Sequence, residues 1–151
     1  DIIFCVIWKQ FQGYGERTGL IVMGRDYAGL FLENTDKGLT LSQVECKRAD
    51  KGKPEQSNAS VSLTQNTVYL KVKFKCDGKK IKASEGGHDL LVICDFSYSL
   101  DGKKYQPLGN PFQAREGQWI GTKIGTFCTR PAIVTNDGGW VDVDWFRIAK
   151  K

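Results

Sequence analysis

Asp142 and Asp144 stand two residues apart in Gly139-Trp-Val-Asp-Val-Asp-Trp-Phe-Arg-Ile148. On an extended strand that spacing places both on one face, with Cα atoms roughly 6–7 Å apart. Two carboxyl groups about 5–10 Å apart are what glycoside hydrolysis requires, one as acid and the other as base or nucleophile. However, no Glu follows Glu116, and water, a neighbouring loop or Arg147 would serve two strand aspartates equally well. No catalytic residue is assigned.

The aromatic residues suit a different task. A saccharide ring offers a C–H face and a rim of hydroxyls, so its site needs a flat ring flanked by a few polar partners. Trp119 and Trp140 sit at strand starts beside polar loops, and Tyr27 follows Arg25-Asp26 at a turn. These three are the platform candidates, with Arg130, Asn136, Asp142 and Asp144 as hydrogen-bonding partners. Trp8 and Trp145 fall in phase with Phe4 and Val6, and with Val141 and Val143, and are expected in the core.

Other chemistries find less support. His88 is the only histidine and has no clustered partner for a metal site or a triad. Gly86-Gly-His-Asp89 precedes no helix and is no phosphate loop. Asn136-Asp137, with Asp26 or Asp142, offers oxygens suited to a structural Ca²⁺, without EF-hand spacing; no other cofactor is expected. Lys71, Lys73 and Lys75 form a ladder followed by Lys79, Lys80 and Lys82, and Tyr69 is the one aromatic on that face. The ladder reads as a solvated face guarded against aggregation, and nucleic acid is not an expected partner. The five cysteines include no Cys-x-x-Cys pair. They read mainly as small hydrophobes in strands, with one disulfide as the alternative.

The elements that position these residues are strands. The 151-residue chain is 40% apolar, with 17 Gly and a net charge of +5, a length and composition that suit one globular domain. No apolar run approaches the roughly 18 residues of a membrane span, and no membrane partner is expected. Alternation marks strands at Ile2–Lys9, Gly19–Met23, Tyr27–Glu33, Gly38–Cys46, Ala59–Leu63, Thr67–Lys75, Leu90–Leu100, Lys104–Leu108, Lys123–Thr129 and Trp140–Ile148. In Val68-Tyr-Leu-Lys-Val-Lys-Phe74 the apolar set faces the core, and Tyr69, Lys71 and Lys73 face outward. Asp101-Gly102 predicts a tight hairpin turn. Arg48–Asn58 reads as a polar loop, and Asp77–Asp89 as a flexible excursion or a lengthened hairpin. The fold class is all-β: an antiparallel β-sandwich of jelly-roll type.

Six pieces in order resemble one family. They are Gly19-Leu-Ile-Val-Met-Gly-Arg-Asp-Tyr-Ala28, Leu41-Ser-Gln-Val-Glu45, Phe96–Tyr105, Pro111-Phe-Gln-Ala-Arg-Glu-Gly117, Trp119–Cys128 and Gly139–Ile148. Together they look like the C-terminal concanavalin A-like β-sandwich of family 43 glycoside hydrolases, the β-xylosidases and arabinofuranosidases. The resemblance implies two curved antiparallel sheets. It implies a single domain over residues 1–151, a fragment of a longer bacterial enzyme that lacks the first strands of the family domain. It also implies a non-catalytic accessory role, packing on a catalytic propeller and helping to bind xylan-type plant-wall polysaccharide or oligosaccharide. Trp119 is the closest match to a family aromatic that reaches the mouth of the active site. The alternatives are an autonomous lectin-like module and a small self-contained β-glycanase. The expected compartment is periplasmic or extracellular.

Overall fold

The computed structural model describes residues 2–10, 15–82, 88–130 and 139–149, with the backbone alone at 2–10, 77, 80–82 and 88–90. Two antiparallel sheets face each other. The first contains β1 (Ile2–Gln10), β6 (Thr67–Lys82), β7 (His88–Ser99), β8 (Gln106–Pro107), β9 (Phe112–Ala114) and β11 (Trp140–Ile148). Its order is β11-β1-β6-β7-β8, and β9 also pairs with β7. The second contains β2 (Arg17–Met23), β3 (Tyr27–Thr35), β4 (Gly38–Cys46), β5 (Gln56–Ser62) and β10 (Lys123–Thr129), in the order β10-β2-β3-β4-β5. This is the all-β sandwich the alternation predicts.

The core lies between the inward rows. Leu20 and Val22 of β2, Ala28, Leu30 and Leu32 of β3, and Leu41 of β4 meet Val68, Leu70 and Val72 of β6 and Cys94, Phe96 and Tyr98 of β7. Each buried Leu or Val stabilises the fold by about 1.5–3 kcal/mol through removal from water. Phe74 is packed against this cluster, and period two in β6 holds as read.

Of the two readings of Asp77–Asp89 the lengthened hairpin holds: β6 runs to Lys82 and β7 starts at His88, with a register shift between Cys76 and Lys80. Residues 83–87 lie outside the described residues. Other elements differ from the sequence reading. The Arg48–Asn58 loop contains a 3₁₀ turn at Ala49–Lys51 and ends inside β5. The Asp101-Gly102 turn is wider than a two-residue hairpin, since the nearest cross-strand pair is Tyr98 with Gln106. The Asp101 carboxylate accepts the Lys103 and Lys104 amides at 2.8 Å each and the Ser99 hydroxyl. Those donors hold its pKa down to about 2. Strand β9 was not anticipated, because three residues after Pro111 are too few to show a period.

Trp145 is the main correction. Val143 pairs with Val6 and Trp145 with Cys5, so Asp144 is one extra residue in the ladder. A bulge of this kind reverses the alternation beyond it. Trp145 therefore leaves the phase of Val141 and Val143 and joins Tyr69 on the outer face, ring centroids 6.1 Å apart. The side chain of Trp8 lies outside the described residues. Among the cysteines, Cys46, Cys76, Cys94 and Cys128 are free. Cys76 and Cys128 are exposed, contrary to the small-hydrophobe reading. Burial pushes the Cys94 thiol up to about 12, helped by the charge of Asp95.

Candidate functional site

Trp119 projects from the loop between β9 and β10 and is 88% exposed. The loop is closed at its base. The Gly117 amide donates to the Ile120 carbonyl at 2.8 Å, and the Thr122 hydroxyl donates to the Arg115 carbonyl at 2.6 Å. Outside it, the Arg25 amide donates to the Glu116 carbonyl at 3.0 Å, and Arg115 Nη1 reaches Asp26 Oδ2 at 3.3 Å. A Cβ on Gly24 would lie 1.9 Å from the Arg115 carbonyl oxygen, so the β2–β3 turn fits flush against the loop base. Ile120, Met23 and Ile124 are also exposed at this end of the five-stranded sheet. An indole held out by a tied loop, beside apolar neighbours, is ready to stack on a ring or enter a partner's surface without first being ordered.

Tyr27 belongs to the same end, opposite Met23 in the β2–β3 ladder. Its hydroxyl donates to Glu55 Oε1 at 2.5 Å, while Arg17 Nη1 donates to Glu55 Oε2 at 2.6 Å. The Arg17 guanidinium lies 5.4 Å from the Phe31 ring centroid, and Phe31 meets Phe127 edge-on at 4.5 Å. Phe31 is therefore 3% exposed although it points to the outer face. Burial raises the Tyr27 pKa, and the hydrogen bond and charge of Glu55 raise it further. Burial pushes the Glu55 pKa up, but hydrogen bonds from Arg17 and Tyr27 with the Arg17 charge outweigh it, for a net lowering. Glu55 and Arg17 were missed in the sequence because Glu55 lies in a stretch whose composition signals only a loop.

Trp140, Arg130, Asp142 and Asp144 lie elsewhere. The amide of Gly139, next to Trp140, donates to Glu16 Oε1 at 3.1 Å, and Thr129, next to Arg130, pairs with Arg17. That is the opposite end of β2 from Met23, about 20 Å away at about 3.3 Å per residue. Trp140 is 53% exposed. Arg130 Nη1 is buried with no hydrogen-bond partner among the described residues. Asp142 precedes the bulge and Asp144 is its extra residue, so strict alternation does not link the two carboxylates. Asn136 and Asp137, the Ca²⁺ candidates, lie outside the described residues, as does the His88 side chain. Among the described residues no three His, Cys, Asp or Glu side chains form a ligand set.

Residues 9–149 match the family described as the β-xylosidase C-terminal concanavalin A-like domain. The chain belongs to that family. A stretch of 51 residues is 37% identical to a β-xylosidase of Formosa agariphila, covering 34% of this chain and 8% of that protein. Two solved structures share the fold of this C-terminal domain over 97% of its length. One is a GH43 glycoside hydrolase engineered to display both endo-xylanase and exo-arabinofuranosidase activity, with a TM-score of 0.74, 19% identity and 28% of that chain covered. The other is a mutant GH43 protein from Bacillus licheniformis, with a TM-score of 0.66, 18% identity and 26% of that chain covered. The chain thus spans between a quarter and a third of the solved proteins it resembles. Within this GH43 C-terminal domain the candidates do not form one cleft: Trp119 stands near the Met23 end of β2, Trp140 and Arg130 near its Arg17 end, and the Tyr27 side chain is joined to Arg17 through Glu55.

Proposed function

We propose that this domain is the non-catalytic accessory sandwich of a family 43 glycoside hydrolase, seated on the catalytic propeller of the same polypeptide by its Trp119 end. There it helps to bind xylan-type oligosaccharides. The reading rests on Trp119: a fully presented indole on a tied loop, next to Ile120, Met23 and Ile124, which are also exposed. Exposed apolar groups gathered at one end of a soluble domain mark a partner surface. Trp119 would cover part of a sugar subsite with its ring, while its aliphatic neighbours would fill the domain junction. Chemistry stays with the propeller.

In the intact enzyme, Trp119→Ala should raise KM for xylooligosaccharides about tenfold, the equivalent of about 1.4 kcal/mol of binding, with kcat nearly unchanged. An unchanged KM would remove Trp119 from the subsite. Hydrolysis of xylan or β-glucan by the 151-residue chain alone, lost in Asp144→Asn, would overturn the accessory role.

A further inference from the structure

The bulge at Asp144 leaves Trp145 beside Tyr69 on the outer face of the six-stranded sheet, ring centroids 6.1 Å apart and tilted by 43°. Both rings are partly exposed. The Arg147 guanidinium lies 4.7 Å from the Trp145 centroid, and Lys71 Nζ lies 5.1 Å from the centroid of Tyr105. The Tyr69 ring also closes over Gly102, where a Cβ would lie 3.0 Å from the phenol carbon. The turn that carries exposed Lys103 and Lys104 is thereby drawn to the edge of the aromatic pair. Among the described residues Asp95 and Asp142 share the face by register, Asp95 paired with Lys75 and Asp142 toward the start of β11, and exposed Asp144 stands at the bulge next to Trp145.

We propose that this face binds an anionic polysaccharide, one whose sugar rings carry carboxylate or sulfate groups. Trp145 and Tyr69 supply a platform for the C–H face of a ring. Arg147 offers its planar donors to an acidic substituent on that ring, a geometry suited to carboxylate and sulfate oxygens. Lys71, Lys103 and Lys104 favour the next anion along the chain. Charge complementarity selects this occupant over a neutral glycan, and the Trp145–Tyr69 aromatic pair beside the cations favours it over a bare polyanion. The site depends on neither Trp119 nor the propeller. It would add attachment to acidic wall or matrix glycans, whatever the enzyme cleaves.

The test is calorimetric titration of the chain with three xylooligosaccharides of equal length: glucuronic acid-bearing, sulfated and neutral. A single-stranded oligonucleotide is the fourth probe. At low salt at least one acidic oligosaccharide should bind about tenfold or more tighter than the neutral one, and the difference should shrink as salt screens the cations. The tighter of the two acidic probes identifies the anion. Arg147→Gln and Trp145→Ala should each weaken that binding about fivefold or more, as expected on losing a charge-assisted bond or a stacking ring. Trp119→Ala should leave it unchanged, which separates this site from the accessory role. Arg147→Gln alters an exposed side chain, so it remains decisive if Trp145→Ala unfolds. Equal affinity for neutral and acidic sugars, tighter binding of the oligonucleotide, insensitivity to Arg147→Gln, or no heat with any probe would each overturn the proposal.

Discussion

The Asp26 carboxylate accepts the backbone amide of Arg48 at 2.7 Å, and Arg48 is the one non-glycine among the described residues with positive φ, 56°. The left-handed conformation costs an ordinary residue roughly 1–2 kcal/mol, and the carboxylate offsets it by fixing the amide. Arg48→Gly should therefore be neutral or stabilising by up to about 1 kcal/mol in urea unfolding. Asp26→Ala should destabilise by about 2–3 kcal/mol, because it leaves the Arg48 amide unpaired and removes the Arg115 contact. Asp26→Ala should also loosen the Trp119 loop, visible as a drop in tryptophan fluorescence anisotropy, since the ring is already in water.

Glu55 makes stability fall in acid. Its pKa is lowered on folding by Arg17 and Tyr27, against the opposing effect of burial. A depressed carboxylate contributes stability above its unfolded pKa, near 4.3, and loses that contribution as pH falls through the folded value. Glu55→Gln should be less stable than the parent at pH 7, by about 1 kcal/mol or less for a partly exposed pair. The gap should close at the acid end of a urea titration. Tyr27 acts at the other extreme: its raised pKa favours the phenol, so stability declines above about pH 10, and Tyr27→Phe should blunt that decline.

Gln43 is fully buried, and its Oε1 accepts Asn58 Nδ2 at 2.8 Å and the Asn110 amide at 3.2 Å. It ties β4 to β5 and to the loop ahead of β9. Gln43→Leu should cost about 1–3 kcal/mol, the penalty for stranding those donors. Gly109→Ala should cost more than the loss of chain freedom alone, since its Cβ would lie 2.3 Å from Gln43 Oε1 at φ 78°. Thermal unfolding of both variants checks this.

Trp119→Ala should change the stability of this domain by less than about 0.5 kcal/mol, as expected for an exposed residue outside the core. A loss of about 3 kcal/mol or more, the range for a buried Trp, would show that the indole packs inward and would withdraw it from any binding role.

The sandwich was legible because alternation in β3, β4 and β6 is strong, and one slip would turn Leu30, Leu41 or Leu70 into water. The Gly24–Tyr27 turn was legible through its Asp-Tyr step. Trp145 was not, because a bulge leaves no mark in composition: Val-Asp-Val-Asp-Trp reads as unbroken alternation. The separation of Trp119 from Trp140 was equally hidden. Both stand near strand starts, but β10 and β11 begin at opposite ends of the molecule, and sequence order carries no such direction. Glu55 could not be picked out of a polar loop, since its significance lies in Arg17 and Tyr27, which are distant in the chain.

The extra residue at Asp144 lets Val143 and Trp145, two positions apart in the chain, face opposite sides of β11. Removing Asp144 would set Trp145 directly after Val143, still opposite Cys5 and Val6, so Trp145 and Arg147 would keep the outer side by plain alternation. A one-codon loss here would thus straighten an outermost strand without changing what it displays. An uninterrupted rim of that kind is what a second copy can pair with.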